Sequence, residues 1–211
     1  MVEAVIVSKT KIEIVEGTPT YGRFIAEPLE RGFGTTLGNS MRRVLLSSLP
    51  GAAVTSVKIE GVQHEYSTLP HVKEDITEFL LNVKGIRLRC HADAPVRLRL
   101  EVSGEGKVCA GDIQASAQCE INNPELHLVT LDSPEAKFSA ELTVERGKGY
   151  IPAGHEDGTP IGVLPVDAIF TPVRKVNYSV EHTRVGQRTD YDRLVLDVWT
   201  DGTILPVEAV R

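Results

Sequence analysis

Only two stretches of this chain repeat their apolar residues at helical spacing; nearly everywhere else apolar and polar residues alternate. Alternation with a period of two suits a strand with one buried face, and recurrence every three to four residues suits a helix with one buried stripe. The chain therefore has to fold chiefly as sheets, with a few helices to cover them. Residues 4–27 read as strands, with Lys11-Ile12-Glu13-Ile14-Val15-Glu16 alternating clearly and Gly17-Thr18-Pro19 turning the chain. Pro28 is expected to end the second of these runs, because it has no N–H to donate to a ladder. Further strands are expected at 54–60, 86–91, 96–102, 137–145 and 194–199, and an exposed loop at 153–160.

The first helix is expected over 35–48. Gly32 and Gly34 precede it, Thr35 or Thr36 is positioned as N-cap, and Pro50-Gly51 stops it. The second is expected over about 73–84, where Val72, Ile76, Phe79, Leu80 and Val83 make one stripe. Glu74 and Asp75 in its first turn and Lys84 in its last suit the helix dipole, and Gly85 suits its C-terminal end. Few helices and many strands make the fold class α+β.

The first helix is the most informative segment. With Leu37 at zero and about 100° per residue, Met41, Val44 and Leu45 fall within about 80° and form the expected core stripe. Leu46 falls about 180° away and Leu49 about 120° away, with Arg42 and Arg43 on either side of Leu46 at about 140° and 240°. A solvated face has no need of Leu46, whose burial contributes roughly 1.5–3 kcal/mol. The edge reads either as a partner-binding face, with arginine beside an apolar anchor, or as a second internal contact with the arginines reaching out to solvent.

Composition narrows the function classes. The 211 residues are 41% hydrophobic and 25% charged, ordinary for a globular protein and enough to bury a core without staples. No window approaches the apolar length of a membrane span, and Met1-Val2-Glu3-Ala4 does not open a secretory signal. The formal net charge of −6 argues against broad nucleic-acid binding as the main task. Cys90, Cys109 and Cys119 are odd in number and lack C-x-x-C spacing, so buried or incidental thiols in a reducing cytoplasm fit better than a disulfide framework or a zinc site.

Spacing excludes several chemistries. Gly32-Phe33-Gly34-Thr35-Thr36-Leu37 has leucine where the dinucleotide fingerprint needs glycine, and it lacks the Lys-Ser/Thr of a P-loop. Asp190-Tyr191-Asp192 could offer two carboxylates to Mg²⁺, but reads more simply as an acidic turn before the strand at 194. The histidines at 64, 71, 91, 127, 155 and 182 show no metal-ligand spacing, and no cofactor is expected. Arg87, Arg89, Arg97 and Arg99 alternate along two strands, as a solvated face or as a patch for an acidic partner.

The segment from Glu27-Pro28-Leu29-Glu30-Arg31-Gly32-Phe33-Gly34 through Thr35-Thr36-Leu37-Gly38-Asn39-Ser40-Met41-Arg42-Arg43-Val44-Leu45-Leu46-Ser47-Ser48 resembles the signature of bacterial RNA polymerase alpha subunits. The resemblance continues through His64-Glu65-Tyr66-Ser67-Thr68, Lys73-Glu74-Asp75-Ile76, Val144-Glu145-Arg146-Gly147-Lys148-Gly149-Tyr150-Ile151-Pro152-Ala153, Pro165-Val166-Asp167-Ala168 and Gly186-Gln187-Arg188-Thr189-Asp190. It implies a discontinuous dimerisation domain from residues 1–50 and 174–211, with a β-rich domain, 51–173, inserted into it. It further implies a homodimer that scaffolds the β and β′ subunits of a nucleotidyltransferase complex and has no active site, cofactor or metal of its own. By position, Arg43 and Leu46, with Arg42 beside them, are expected at the β-subunit contact. Phe33 and Leu37 are expected at the dimer contact, and Lys84, Val166, Asp167 and Arg184 where the large subunits dock. The family's dimerisation helix would begin at Pro206, and its C-terminal DNA-binding domain is not among these residues, so direct DNA binding is not expected. A free-standing small phosphate-transferring enzyme is the rival reading; the sequence offers it no nucleophile–base pair and no metal cage.

Overall fold

The computed structural model describes residues 10–114, 116–154 and 160–211. The strand expected within 4–9 and most of the loop expected at 153–160 lie outside the described residues. The chain opens with strands β1 (Lys11–Gly17) and β2 (Tyr21–Leu29), then helix α1 (Phe33–Ser47), strand β3 (Pro50–Ile59) and helix α2 (Ile76–Val83). Short and long strands follow: β4 (Leu88–Cys90), β5 (Val96–Ser103), β6 (Gly106–Cys109), β7 (Cys119–Ile121), β8 (His127–Leu131) and β9 (Lys137–Lys148). Then come β10 (Tyr150–Ile151), β11 (Val163–Pro165), β12 (Ala168–Ile169), β13 (Val173–Val185), β14 (Arg188–Thr200) and helix α3 (Pro206–Val210). The α+β class holds. The chain divides into two compact units, one from residues 1–49 and 172–211, the other from residues 50–171.

The discontinuous unit is a four-stranded antiparallel sheet in the order β1-β2-β14-β13. Along β14 the residues from Asp192 to Thr200 alternate between buried and half-buried, the pattern of a sheet covered on one face. Leu196 and Val198 pack there with Phe24, Val176, Leu45 of α1 and Ala209 of α3. Strand β13 is a 13-residue element that the sequence reading did not anticipate, although Val176-Asn177-Tyr178-Ser179-Val180 carries the period-two signal. It joins β14 through a two-residue turn, Gly186-Gln187, in which Gly186 takes the positive φ of 62° that hairpin turns favour. Pro28 does not end β2. The ladder to β1 closes at Lys11 opposite Glu27 and the pairing with β14 is irregular between Asp192 and Leu194, so the missing N–H falls where regular pairing has stopped.

The second unit is a β-rich body around a six-stranded sheet. Its strands run β5-β9-β3-β4-β7, with β11 also on β3; β6-β8 and β10-β12 form two-stranded ladders. Strand β9 shows why these residues form strands: Phe138, Ala140, Leu142 and Val144 are buried while the residues between them are not. Helix α2 begins three residues later than expected, at Ile76, because the Asp75 carboxylate accepts a hydrogen bond from the Glu78 N–H and so acts as the N-cap. Its buried residues Ile76, Phe79 and Val83 enter the core, where Phe79 meets Phe138 edge-on at 5.1 Å.

Candidate functional site

Helix α1 begins at Phe33, not at 35, and neither threonine caps it. Gly32 is the N-cap residue, in a left-handed conformation with φ 88°. The cap is supplied from β14, where the buried Asp192 carboxylate accepts hydrogen bonds from the N–H groups of Gly32 at 2.8 Å and Gly34 at 3.1 Å. Negative charge at a helix N-terminus satisfies donors that the helix itself leaves unpaired. Asp192 is thus committed within the fold, and Asp190 is held by Arg188 at 3.0 Å. The segment expected to be an acidic turn is part of strand β14.

The buried face of α1 differs from the expected stripe. Gly34, Gly38 and Leu45 are its buried residues, with Met41 packed against the same core. All lie within about 40° of Leu45 on the helix wheel. The two glycines explain the displacement: a Cβ on Gly34 would stand 2.7 Å from Val180 Cγ1, and one on Gly38 would collide with the Tyr178 ring. The helix lies close on β13 through residues without side chains, which an apolar periodicity cannot register. Phe33, Leu37 and Val44 are left about 80–120° to one side. They are 54%, 39% and 50% exposed, so Leu37 and Val44 are not core residues of this unit.

Leu46 also departs from expectation. It is partly buried against the unit's own core, on the other flank of the helix, about 100° from Leu45. The face opposite the core is therefore not an apolar edge centred on Leu46. Arg42 and Arg43 are exposed, with Arg43 pointing most nearly away from the sheet, about 160° from Leu45.

In the β-rich unit, two of the expected docking residues form a clasp. Lys84 Nζ donates to Asp167 Oδ2 at 2.6 Å, and the other Asp167 oxygen accepts from the Ala153 N–H at 2.7 Å. The Ala153 N–H, followed by Lys84, holds the Asp167 carboxyl below the usual carboxylate range. Lys84 and Asp167 share a shallow hollow with Leu80, Leu81 and Pro165, and Leu81 is largely exposed there. Val166 is 5% exposed and belongs to the core of this unit, so its side chain offers little surface and its place is to seat its neighbours. Arg184 belongs to the other unit, on the β13–β14 hairpin, where its Nε donates to the Gly186 carbonyl at 2.7 Å. The four arginines expected on one face do not form one strip. Arg97 and Arg99 lie on β5, with Arg97 paired to Glu141 at 3.3 Å, and strands β9 and β3 separate them from β4.

The RNA polymerase Rpb3/RpoA insert domain family matches residues 57–171, more than half of the chain and wholly inside the β-rich unit. Proteins named DNA-directed RNA polymerase subunit alpha are similar along nearly all of it. That of Alkaliphilus oremlandii is 58% identical over 206 residues, covering 96% of this chain and 65% of its own length. That of Roseiflexus sp. is 57% identical over 204 residues, covering 97% and 63%, and that of Symbiobacterium thermophilum 58% identical over 205 residues, covering 95% and 65%. The chain belongs to the RNA polymerase alpha-subunit family. It spans just under two thirds of the length of these relatives. The alpha-type insert unit holds one further polar centre, at Glu74, where the sequence suggests only a favourable charge for a helix dipole. Glu74 accepts from His127 Nε2 at 2.8 Å, from Thr130 N at 2.6 Å and from Thr130 Oγ1 at 2.8 Å. Burial pushes its carboxyl up, but these hydrogen bonds outweigh burial and hold it below the usual range. Glu74 thereby ties the approach to α2 to strand β8. Among the described residues, no helix is long and apolar enough to cross a membrane.

Proposed function

We propose that this chain is a non-catalytic assembly subunit of a cytoplasmic RNA polymerase. It homodimerises through the discontinuous unit and carries the β and β′ subunits, while nucleotidyl transfer takes place elsewhere in the complex. The carrying observation is the uncovered apolar edge of α1. Phe33, Leu37 and Val44 are large side chains held in water on a helix whose opposite flank is satisfied. Large apolar side chains left exposed along one flank of a helix mark a surface that another polypeptide covers. A second copy meeting that edge buries Phe33 and Leu37. The exposed guanidiniums of Arg42 and Arg43 stay available for the β subunit, with Leu46 supporting them from the core side. The Lys84–Asp167 clasp, set on Val166, and Arg184 on its hairpin serve the large subunits.

The test is co-expression with the β subunit. Arg43→Ala is expected to weaken retention of β while light scattering still reports a dimer, since an interfacial arginine can contribute about 2 kcal/mol or more. A mutant dimer that retains β as well as the parent removes Arg43 from the contact. A parent chain that stays monomeric at micromolar concentration removes the dimer.

A further inference from the structure

Cys90 and Cys119 are 29 residues apart in sequence, yet stand directly opposite each other on β4 and β7. Both are buried in the core of the β-rich unit, with the Cys119 and Cys90 sulfurs in direct contact. The backbone bonds around them define the kind of pair. His91 N donates to the Gln118 carbonyl and Asn122 N to the Arg87 carbonyl, both at hydrogen-bonded positions of the ladder. Cys90 and Cys119 fall at the alternate, non-hydrogen-bonded position. There the Cα atoms of antiparallel strands approach to about 4.5 Å, within the roughly 4.4–6.8 Å that a disulfide spans. No strand has to move for the two sulfurs to join.

We propose that Cys90 and Cys119 form a reversible dithiol–disulfide site that clasps β7 to β4 when the chain meets a small-molecule disulfide oxidant such as oxidised glutathione. The Cys90 thiolate attacks one sulfur of the oxidant, breaks its S–S bond and releases one thiol. Cys119 sulfur then attacks the Cys90 sulfur of the mixed disulfide, gives up its proton and releases the second thiol. Two protein thiols lose two electrons and two protons, and the oxidant becomes two thiols. Burial, then the hydrogen bond to Cys90, pushes the Cys119 thiol up to about 12, so Cys119 does not begin the exchange at neutral pH.

The surrounding structure gives the oxidant a way in and gives the bond a consequence. β7 is the edge strand of the six-stranded sheet, β4 and β7 are three residues each, and β4 meets β3 only at Leu88 opposite Ala52. An edge held by so few ladder bonds opens locally more readily than the β3–β9 centre. Once formed, the bond closes the chain between the two cysteines into a loop and opposes that opening. Cys109 stands opposite His127 on a different ladder and takes no part.

The 211-residue chain is incubated in native buffer with excess oxidised glutathione, quenched with acid, then unfolded and alkylated for peptide mass mapping. Alkylated cysteines are expected to fall from three to one, with a crosslinked peptide joining Cys90 to Cys119 and the chain lighter by two hydrogens. The thermal midpoint is expected to rise, and dithiothreitol to reverse both changes. Three alkylated cysteines, glutathione retained without a crosslink, or a link to Cys109 would each overturn the proposal. Cys119→Ala is expected to abolish the link. Should that variant not fold, Cys109→Ser, which leaves the pair intact, must still form it, and failure there overturns the proposal equally.

Discussion

In the β-rich unit the apolar face of the main sheet is covered from within: Phe79, Leu100, Leu128 and Leu142 are almost wholly buried, and helix α2 and strand β8 lie in the same core. In the discontinuous unit the same kind of sheet is only partly roofed. Helix α1 packs over β13 and β14 and α3 reaches β14 and β2. Ile12 and Ile14 of β1 lie opposite Ala26 and Phe24, on the core-facing side, and remain 73% and 53% exposed. The roofing helix itself turns Phe33, Leu37 and Val44 to solvent. The two units share a chain and a strand-rich composition, but one closes its own hydrophobic core and the other leaves apolar surface over. A unit of the second kind has more to gain from a partner than from further packing of its own, since full burial of a side chain of this size is worth roughly 1.5–3 kcal/mol and these are about half covered already.

The contrast can be broken most directly inside the closed unit. Phe79→Ala removes a ring that meets Phe138 and is expected to cost about 3–5 kcal/mol, read as a lower denaturant midpoint. A cost below about 1 kcal/mol would show that this core is not closed. Phe33→Ser combined with Leu37→Ser should do the reverse. The folded monomer should keep its circular dichroism spectrum, while self-association measured by sedimentation weakens by about 2 kcal/mol or more. Asp192→Ala leaves the Gly32 and Gly34 N–H groups without their acceptor. It should destabilise the discontinuous unit by about 1–3 kcal/mol in urea unfolding, with Asp192→Asn losing less.

The smallest expected effect is a pH dependence confined to the β-rich unit. The Glu74 carboxyl is held below its unfolded value, so its stabilisation is full above the ordinary glutamate pKa and disappears as pH falls through the folded one. The thermal midpoint should drop as acid is added below about pH 4, and Glu74→Gln should flatten that drop. An unchanged slope in the variant would show that another carboxylate controls the acid limb.

Legibility in the sequence followed side-chain size. The α+β class, the alternating strands around 54–60, 96–102, 137–145 and 194–199, and helix α2 were visible because large apolar residues mark the buried face. Strand β13 was missed even though Val176, Tyr178 and Val180 alternate, because charged residues on either side dilute the signal. The face of α1 was mis-centred for a clearer reason. Its closest contact is made by Gly34 and Gly38, and a pattern that counts apolar side chains reads glycine as nothing. Counting apolar side chains therefore turns Leu37 and Val44 inward and Leu46 outward, whereas in the fold Leu37 and Val44 are exposed and Leu46 packs against the core.

Local chemistry, carried by residue type and spacing, was enough to determine the strand-rich class and the helix over α2, while the family came from the resemblance of the long run from Glu27 to Ser48 and not from its spacing. Tertiary structure alone decided which flank of α1 meets the sheet, that Asp192 caps that helix across 160 residues of sequence, and that Cys90 meets Cys119. The physical reason is common to all three. Periodicity reports what each residue prefers as its surroundings, but a close approach of backbones, a remote carboxylate at a helix end and a cross-strand thiol pair depend on register and distance, which exist only once the sheets have formed.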